Sequence, residues 1–370
     1  MSVGTVALAV FPYYPDNDWQ EILYGDLRRD DVQIVVLESI RVAPWMQTML
    51  RDGGSVVLHL NWTAPVSQKA HNVVASMIEV RRTLDELARF RELGGRIIWT
   101  VHNVLPHELL YLAPELVLCR GIAALAHTIM VMNPDTLRLV SDWYSLPPTK
   151  TIQIDHPSYL GRFPNTVSGD DARRAHGLKS DDVVLLFVGS LRPYKGLEDL
   201  LPAFDRAHAK FERLKLLVAG PVGPGYSPEQ FEQLLHPREG LIFEVGYIAP
   251  EQMQYWCNAA DVMVLPYREA LNVSVVSLAA TFDLPVAIRQ TPASRYLKAL
   301  EWVSFLNAEE SQLSDDLITN GLRFHENTAA REAARQAAAA SSPTKVATEF
   351  ASVVIGLRQG RDSAMDNGGM

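Results

Sequence analysis

The sequence predicts an α/β protein built from two Rossmann-like, doubly wound domains in series. Short apolar runs of strand length alternate with amphipathic helical stretches, the alternation starts over near Val183, and a stretch rich in Pro, Gly, Ser and Asn separates the two sets. Strands that alternate with helices imply βα units and a parallel sheet. At 370 residues the chain is long for one core and comfortable for two.

The first set of strands is read at Thr5 to Val10, Ile34 to Leu37, Val56 to Leu60, Ile97 to Val101 and Thr128 to Met132. The clearest helix between them is Ser67 to Leu93, where apolar positions recur at helical spacing before Gly94-Gly95 stops the pattern. The second set is Val183 to Val188, Lys215 to Ala219, Leu241 to Val245, Val262 to Pro266 and Pro285 to Ile288. Its helices are expected at about Leu197 to Phe211, Pro228 to Leu235, Pro250 to Ala259 and Ser274 to Thr281. The junction falls in Ile154 to Asp170, giving domains of 1–163 and 164–343. An Ala-rich helix, Thr328 to Ala340, precedes an amphipathic one, Thr344 to Leu357, so that 344–370 is expected to pack back on the first domain with a frayed tail from Asp362.

Composition narrows the function. With 48% hydrophobic and 21% charged residues the chain is an ordinary globular protein, which removes disordered and fibrous classes. A net charge of −9 and a pI near 5.6 argue against a nucleic-acid partner, which needs a dense basic field. Cys119 and Cys257 fit no metal-ligand spacing and are expected as reduced, buried thiols of a cytoplasmic protein. The apolar run near the N-terminus has no basic segment before it and reads as a first strand, not a signal peptide. No stretch reaches the roughly 18 apolar residues needed to cross a bilayer.

The segment Leu185 to Phe204, LLFVGSLRPYKGLEDLLPAF, carries the strongest chemical signal. A strand meets Gly189, then Arg192 and Lys195 around Pro193, then Gly196 and a helix start. A glycine turn lets the backbone approach an anion, a helix N-terminus aims N–H groups at it, and two cations cancel its charge. The expected ligand is a phosphorylated small molecule. A second helix N-terminus, with the N–H groups of Val273 to Val275, offers another place for phosphate, and Glu269 lies just ahead of it.

Ligands of parallel α/β sheets collect beyond the carboxyl ends of strands. In the first half those positions hold Asn17 and Trp19, then His59, Asn61 and Trp62, then His102, Asn103, His107 and Glu108. Histidines, amides and an indole suit a polyhydroxylated ligand, which wants many hydrogen-bonding partners and an apolar platform for a sugar face. A single His after a strand is more often a structural hydrogen-bond partner, and this holds for His59 and His107 taken one at a time.

Four segments in order, DNDWQEILYGDL, WTVHNVLPHE, FVGSLRPYKG and AADVMVLPYREALNVS followed by DLPVAI, resemble the GT-B glycosyltransferases, most of all family 4 and its bacterial exopolysaccharide relatives. The resemblance covers nearly the whole chain and implies a GT-B fold, two Rossmann-like domains facing a central cleft. It implies transfer of a hexose-type sugar from a UDP- or GDP-sugar to a glycan or polyprenyl-linked glycan, with no metal or other cofactor and with retention as the family default. The donor is expected on Gly189, Ser190, Arg192, Lys195, Gly246, Tyr247, Ile248, Glu269, Asn272, Val273 and Ser274, and His102, Glu269, Arg192 and Lys195 are the residues assigned to catalysis. Arg192 and Lys195 would neutralise the diphosphate, Glu269 would face the sugar hydroxyls, and His102 would orient the sugar; as a general base it would instead need an acceptor hydroxyl within reach. The acceptor is expected on Asn17, Trp19, His59, Asn61, Trp62 and His107.

Two positions depart from the family pattern: Ser277 stands where a second Glu is usual, and Asp283 where Gly is usual. The ribose contact is thereby open, with Asn272 and Ser274 as substitutes. Alternatives are a non-hydrolysing sugar-nucleotide epimerase and a non-catalytic nucleotide- or glycan-binding protein. Peripheral contact with the inner face of the plasma membrane is weighed on the helix bearing Arg81, Arg82, Arg89 and Arg91, whose interleaved Asp85, Glu86 and Glu92 blunt its field.

Overall fold

The structure, a computed structural model, describes residues 6–29, 32–307 and 309–358. The tail expected from Asp362 onward lies outside them. One compact unit runs to His156 and takes the chain up again at Pro343, and the other is Pro157–Ser342. The division falls earlier than the expected 163/164. Residues 157–163 are held by the second unit: Ser158 donates its Oγ to Ala338 O at 2.8 Å, Tyr159 N donates to Thr281 Oγ1 at 2.9 Å, and Phe163 packs on Phe282.

The first unit contains β1 (Val6–Phe11), β2 (Gln33–Val36), β3 (Ser55–Leu60), β4 (Arg96–Thr100), β5 (Thr128–Val131) and β6 (Thr151–Gln153), all parallel, in the order β2-β1-β3-β4-β5-β6. β1 is buried along its whole length, as a parallel strand covered on both faces must be, and its sequence VALAVF is correspondingly apolar throughout. The helices are α1 (Asp18–Leu23), α2 (Gly25–Arg29), α3 (Pro44–Arg51), α4 (Ala64–Ser67), α5 (Val73–Glu92), α6 (Leu112–Leu125) and α7 (Thr136–Val140). The single helix expected over Ser67 to Leu93 is divided. α5 starts after Asn72, whose extended backbone and side chain, accepting from Ala75 N at 2.8 Å, make a strong N-cap.

The second unit contains β7 (Val183–Val188), β8 (Leu214–Gly220), β9 (Leu241–Val245), β10 (Val262–Leu265), β11 (Val286–Arg289) and β12 (Val303–Leu306), again all parallel, in the order β12-β11-β10-β7-β8-β9. Its helices are α8 (Gly169–Ala175), α9 (Leu197–Lys210), α10 (Pro228–Leu234), α11 (Pro250–Ala259), α12 (Ser274–Thr281), α13 (Glu310–Phe324) and α14 (Thr328–Ala340). The final helix, α15 (Pro343–Arg358), belongs to the first unit, where Phe350 is wholly buried against Tyr24 and His59. Two strands were not expected, β6 and β12. Both are short and both close the end of a sheet, where one neighbour suffices and the apolar signal is brief.

Strand order fixes where ligands can go. Outward from β7 the chain first adds β8 and β9 on one side, then returns to add β10, β11 and β12 on the other. The loops after β7 and β10 therefore diverge and leave a crevice at their carboxyl ends. In the first unit the same divergence falls between β1 and β3. The two candidate motifs of the sequence sit at these two switch points.

Candidate functional site

In the second unit, β7 ends in Gly189 at φ +111°, a conformation that disfavours any side chain. A Cβ placed there would lie 3.2 Å from Lys195 Nζ and 3.9 Å from Val275 Cγ2. The glycine turn, the lysine and the first turn of α12 thus converge on one point at the switch. Gly196, at φ +75°, lets the chain turn from Lys195 into α9, and a Cβ on it would come within 2.3 Å of Pro266 O. The loops that follow β7 and β10 accordingly pack directly on each other.

Lys195 is 7% exposed, and among the described residues no carboxylate pairs with its ammonium. Its Nζ lies 5.4 Å from the centroid of the Tyr267 ring. Desolvation first, and the neighbouring Arg192 second, push its pKa down to about 8. A buried cation with an aromatic neighbour and no counter-ion favours an anion beside it. Val273, the N-cap of α12, offers no capping side chain, so the N–H groups of that helix's first turn are not met by a side-chain cap. Arg192 and Ser190 are half-buried and lie against the 221–226 loop, where a Cβ on Gly223 would come 2.5 Å from Ser190 Oγ and 2.9 Å from Arg192 Nε.

The remaining expected donor residues surround this point at greater exposure. Glu269 and Ser274 are exposed, and Asn272 and Val273 are half-buried in the loop leading to α12. After β9, Gly246 donates its N–H to Gly220 O at 3.0 Å, Tyr247 is 76% exposed and Ile248 is buried. Ser277, at the position where family 4 has a second Glu, is half-buried on α12. Asp283 adopts φ +55°, the left-handed conformation in which the family's usual glycine is at ease, and Arg335 fastens its carboxylate through Nε and a terminal nitrogen at 3.0 and 2.8 Å. The backbone turn persists with a different residue in it.

Sequence reasoning missed the acids just behind the lysine. Asp199, in the first turn of α9, accepts from Arg268 Nε and a terminal Arg268 nitrogen at 3.1 and 2.6 Å and from Arg289 at 2.7 Å. Glu198 accepts from the Tyr226 hydroxyl at 2.7 Å and lies 3.5 Å from Arg268. Their partners are 69 and 90 residues away in the case of Asp199, beyond any local pattern.

In the first unit the rim is aromatic and uncharged. Trp62 stacks on His102, with ring centroids 4.1 Å apart and planes 16° apart, while Trp19 meets His102 edge-on at 4.7 Å. Tyr14 extends the group, 5.2 Å from Trp62. Asn61 Oδ1 lies 3.4 Å from His102 Nε2, and Asn61 Nδ2 donates to Pro12 O and to the Tyr24 hydroxyl, both at 3.3 Å. Desolvation holds the His102 pKa well below the usual imidazole range, so the ring is neutral at pH 7. Trp19 is buried and its Nε1 has no partner among the described residues.

His59, expected among the acceptor residues, has no exposed surface. It is wholly buried, shares hydrogen bonds with the Tyr24 hydroxyl (2.9 Å, through Nδ1) and Thr100 Oγ1 (2.7 Å, through Nε2), and packs on Phe350. Burial lowers its pKa to about 3. Asn61, only 2% exposed, positions His102 and does not itself face solvent. Asn17 is spent as the N-cap of α1, accepting from Gln20 N at 3.2 Å. His107 is exposed in the segment between β4 and α6. Beneath Trp62 and His102 a cavity of about 30 Å³ reaches Glu115, Cys119 and Tyr144. Glu115, 1% exposed, gathers the hydroxyls of Thr63 and Ser67 and the amide of Gln68, which ties α4 to α6. Both cysteines are free and buried. Among the described residues no three His, Cys, Asp or Glu side chains come together as metal ligands, and no helix is long and apolar enough to cross a membrane.

Residues 182–300 match the family described as Glycosyl transferases group 1, a segment that spans β7, the Lys195 turn, β10 and α12. The chain is similar to family-4 glycosyltransferases. Curated relatives include the D-inositol 3-phosphate glycosyltransferases of Streptomyces scabiei, 31% identical over 40% of this chain and 37% of the relative, and of Geodermatophilus obscurus, 29% identical over 55% of this chain and 49% of the relative. The chain thus spans less than half the length of those relatives. Solved structures with the same fold include Anabaena HepE in complex with UDP (TM-score 0.68, 11% identity, 95% of this chain and 99% of that one) and WaaG, a glycosyltransferase of lipopolysaccharide biosynthesis (0.61, 18%, 95% and 100%). The fold is GT-B.

Proposed function

We propose that the protein is a hexosyltransferase that takes a sugar from a UDP- or GDP-sugar and passes it to a glycan or lipid-linked glycan. The observation that carries this reading is the convergence of Gly189, the buried and unpaired Lys195 and the first turn of α12 on one point at the switch between β7 and β10. Such a point suits a diphosphate: backbone and ammonium can approach it closely, and the charge that builds on a departing diphosphate is met by a fixed cation and helix N–H groups. HepE, which shares the fold, has been solved with UDP and with UDP-glucose, which supports a nucleotide-sugar ligand here.

In the proposed reaction the bond between the anomeric carbon and the diphosphate oxygen breaks and a bond to the acceptor hydroxyl forms. The hydroxyl proton leaves on the diphosphate. Lys195 and Arg192 stabilise the leaving group without a metal ion. His102 orients a sugar hydroxyl: a neutral imidazole with so depressed a pKa is a weak base, which favours orientation over proton abstraction. Retention is proposed from the family resemblance. The aromatic group of Tyr14, Trp62 and Trp19 gives the first unit an apolar surface for a sugar face. Ser277 leaves the ribose without the family's usual carboxylate, and Asn272 and Ser274 are proposed in its place.

Peripheral membrane contact is proposed for the start of α5. Val74 and Ile78 are 65% and 55% exposed there, beside Arg81 and Arg82. Arg82 pairs with Glu79 at 3.1 Å, so the apolar side chains and Arg81 would have to supply the attraction. Co-sedimentation with anionic vesicles, lost in Val74→Asp with Ile78→Asp, tests this contact.

A thermal-shift panel of UDP, GDP, ADP and dTDP with their common sugar conjugates, with and without EDTA, tests the main reading. A selective shift that survives EDTA and disappears in Lys195→Ala is expected. Transfer assays with the donor so found, using glycan, polyprenyl-linked and inositol-phosphate acceptors, then define the acceptor. Binding without transfer to any acceptor would favour a nucleotide-binding protein without turnover.

A further inference from the structure

Resting on the donor-site reading above, we propose that Asp199 is a positioning residue for the donor sugar. By gripping Arg268 and Arg289 it fixes the 266–273 loop that carries Glu269 and Asn272. The geometry is that of a hub. Asp199 stands in the first turn of α9, four residues past Lys195, on the rigid element that the glycine turn leads into. The loop after β10 reaches it through the fork of Arg268, whose two contacts run at 3.1 and 2.6 Å, and whose backbone N–H also donates to Tyr194 O at 2.8 Å. The end of β11 reaches it through Arg289, only 12% exposed at its side chain, at 2.7 Å.

A planar guanidinium on a carboxylate sets direction as well as distance, and a partly buried pair is screened less than a surface one. These bonds hold the carboxylate of Asp199 ionised: the hydrogen bonds from Arg268, and further those from Arg289, lower its pKa. A loop otherwise exposed at Arg268 and Glu269 is thereby attached to a helix start on the same side as Lys195. The Arg268 fork, the Tyr194 contact and the approach of Arg268 to Glu198 at 3.5 Å are polar ties between the loop and α9's end of the unit, and the fork on Asp199 is the shortest of them. The polar partners of Asp199 are Arg268 and Arg289 and not Lys195, so in this proposal diphosphate and sugar recognition separate: the lysine serves the first, the hub serves the second.

The test uses the full chain and three variants, Asp199→Asn, Arg268→Gln and their combination, with Lys195→Ala as a control. Hydrogen exchange of the free protein is followed over 266–273. The expected result is exchange faster by about tenfold in each single variant and clearly less than the product of the two in the double, because both remove the Arg268–Asp199 fork, while Asp199→Asn also loosens Arg289 and Arg268→Gln also removes the Glu198 contact. Titrations with the pairs UDP and UDP-glucose, and GDP and GDP-mannose, then read the affinity that the sugar adds. The expected result is that this added affinity falls about tenfold in Asp199→Asn while the nucleotide alone changes less than about threefold, with Asp199→Glu recovering part of the loss. Unchanged exchange in the loop overturns the proposal whatever the ligand does. Equal losses for nucleotide and nucleotide sugar overturn it too, since they would indicate a general defect of the unit. Failure of the donor-site reading shows differently: no nucleotide binds, or Lys195→Ala binds as the parent does, while the exchange measurement still decides the role of Asp199 as the tie of the loop.

Discussion

The two units place their candidate residues at the same point of the same kind of sheet and equip it in opposite ways. At the switch between β7 and β10 the second unit has a left-handed glycine, a buried lysine without a counter-ion and a helix start. At the switch between β1 and β3 the first unit has two indoles, Trp19 and Trp62, packed on the neutral His102 that follows the neighbouring β4. Strand order makes the crevice in both cases; the side chains at its edge decide whether it suits an anion or a neutral polyol. Burial acts on the two in the same physical direction, disfavouring charge, yet the outcomes differ. Lys195 begins about four pH units above His102 and remains a cation at pH 7 after desolvation, whereas the imidazole is left neutral.

The largest expected effect breaks the cationic half of this comparison. Lys195→Ala should cut turnover by about two to three decades, and Arg192→Ala should fall in the same range, as for a lost oxyanion-type donor. Steady-state kinetics with the donor found in the nucleotide panel check this, and unchanged kinetics in both variants would remove the phosphate assignment. The aromatic half is broken more gently: Trp62→Ala, which leaves His102 unsupported on one face, should raise the acceptor KM by about tenfold with a small change in nucleotide affinity. A loss of nucleotide affinity as large as that of acceptor would argue against separate duties.

Acid and base sharpen the comparison in opposite directions. The Lys195 ammonium, with a pKa of about 8, loses its proton above that pH, so nucleoside diphosphate affinity should be level below it and fall by about tenfold per pH unit above it. Calorimetry at about pH 7 and about pH 9, with Lys195→Arg abolishing the fall, is the check. His59 behaves as a buried neutral base. Its folded pKa of about 3 lies below the unfolded value near 6.5, so the unfolded chain binds more protons between these limits and stability falls as pH falls through that window. The loss from this residue alone should reach about 2 kcal/mol at about pH 5. Denaturant melts across that range should show a shallower pH slope in His59→Gln, and an identical slope would show that His59 is not the group responsible.

Much of the architecture could be read from pattern. Ten strands announce themselves as short apolar runs, the inner ones such as β1, β7 and β10 because a parallel strand covered on both faces is apolar throughout, and the Gly189-to-Gly196 segment announces the turn that brings a glycine, two cations and a helix start together. The first unit was harder to read. His59, Asn61 and His102 look alike as polar residues after strands, but Asn61 is spent on positioning, His59 is turned into the core by the pleat and is closed off by Phe350 from the other end of the chain, and only His102 lies at the rim.

By itself, then, the sequence determined the two-sheet α/β organisation, the helices α9 to α12, α14 and α15, and the local turn that brings Lys195 to the end of β7, because hydrophobic periodicity and glycine conformation act over a few residues. Only the tertiary structure decided which polar residues lie at the rim and which face the core, and that Arg268 and Arg289 meet on Asp199. Those outcomes depend on partners brought together from 35 to about 290 residues apart, through packing that no short-range pattern encodes.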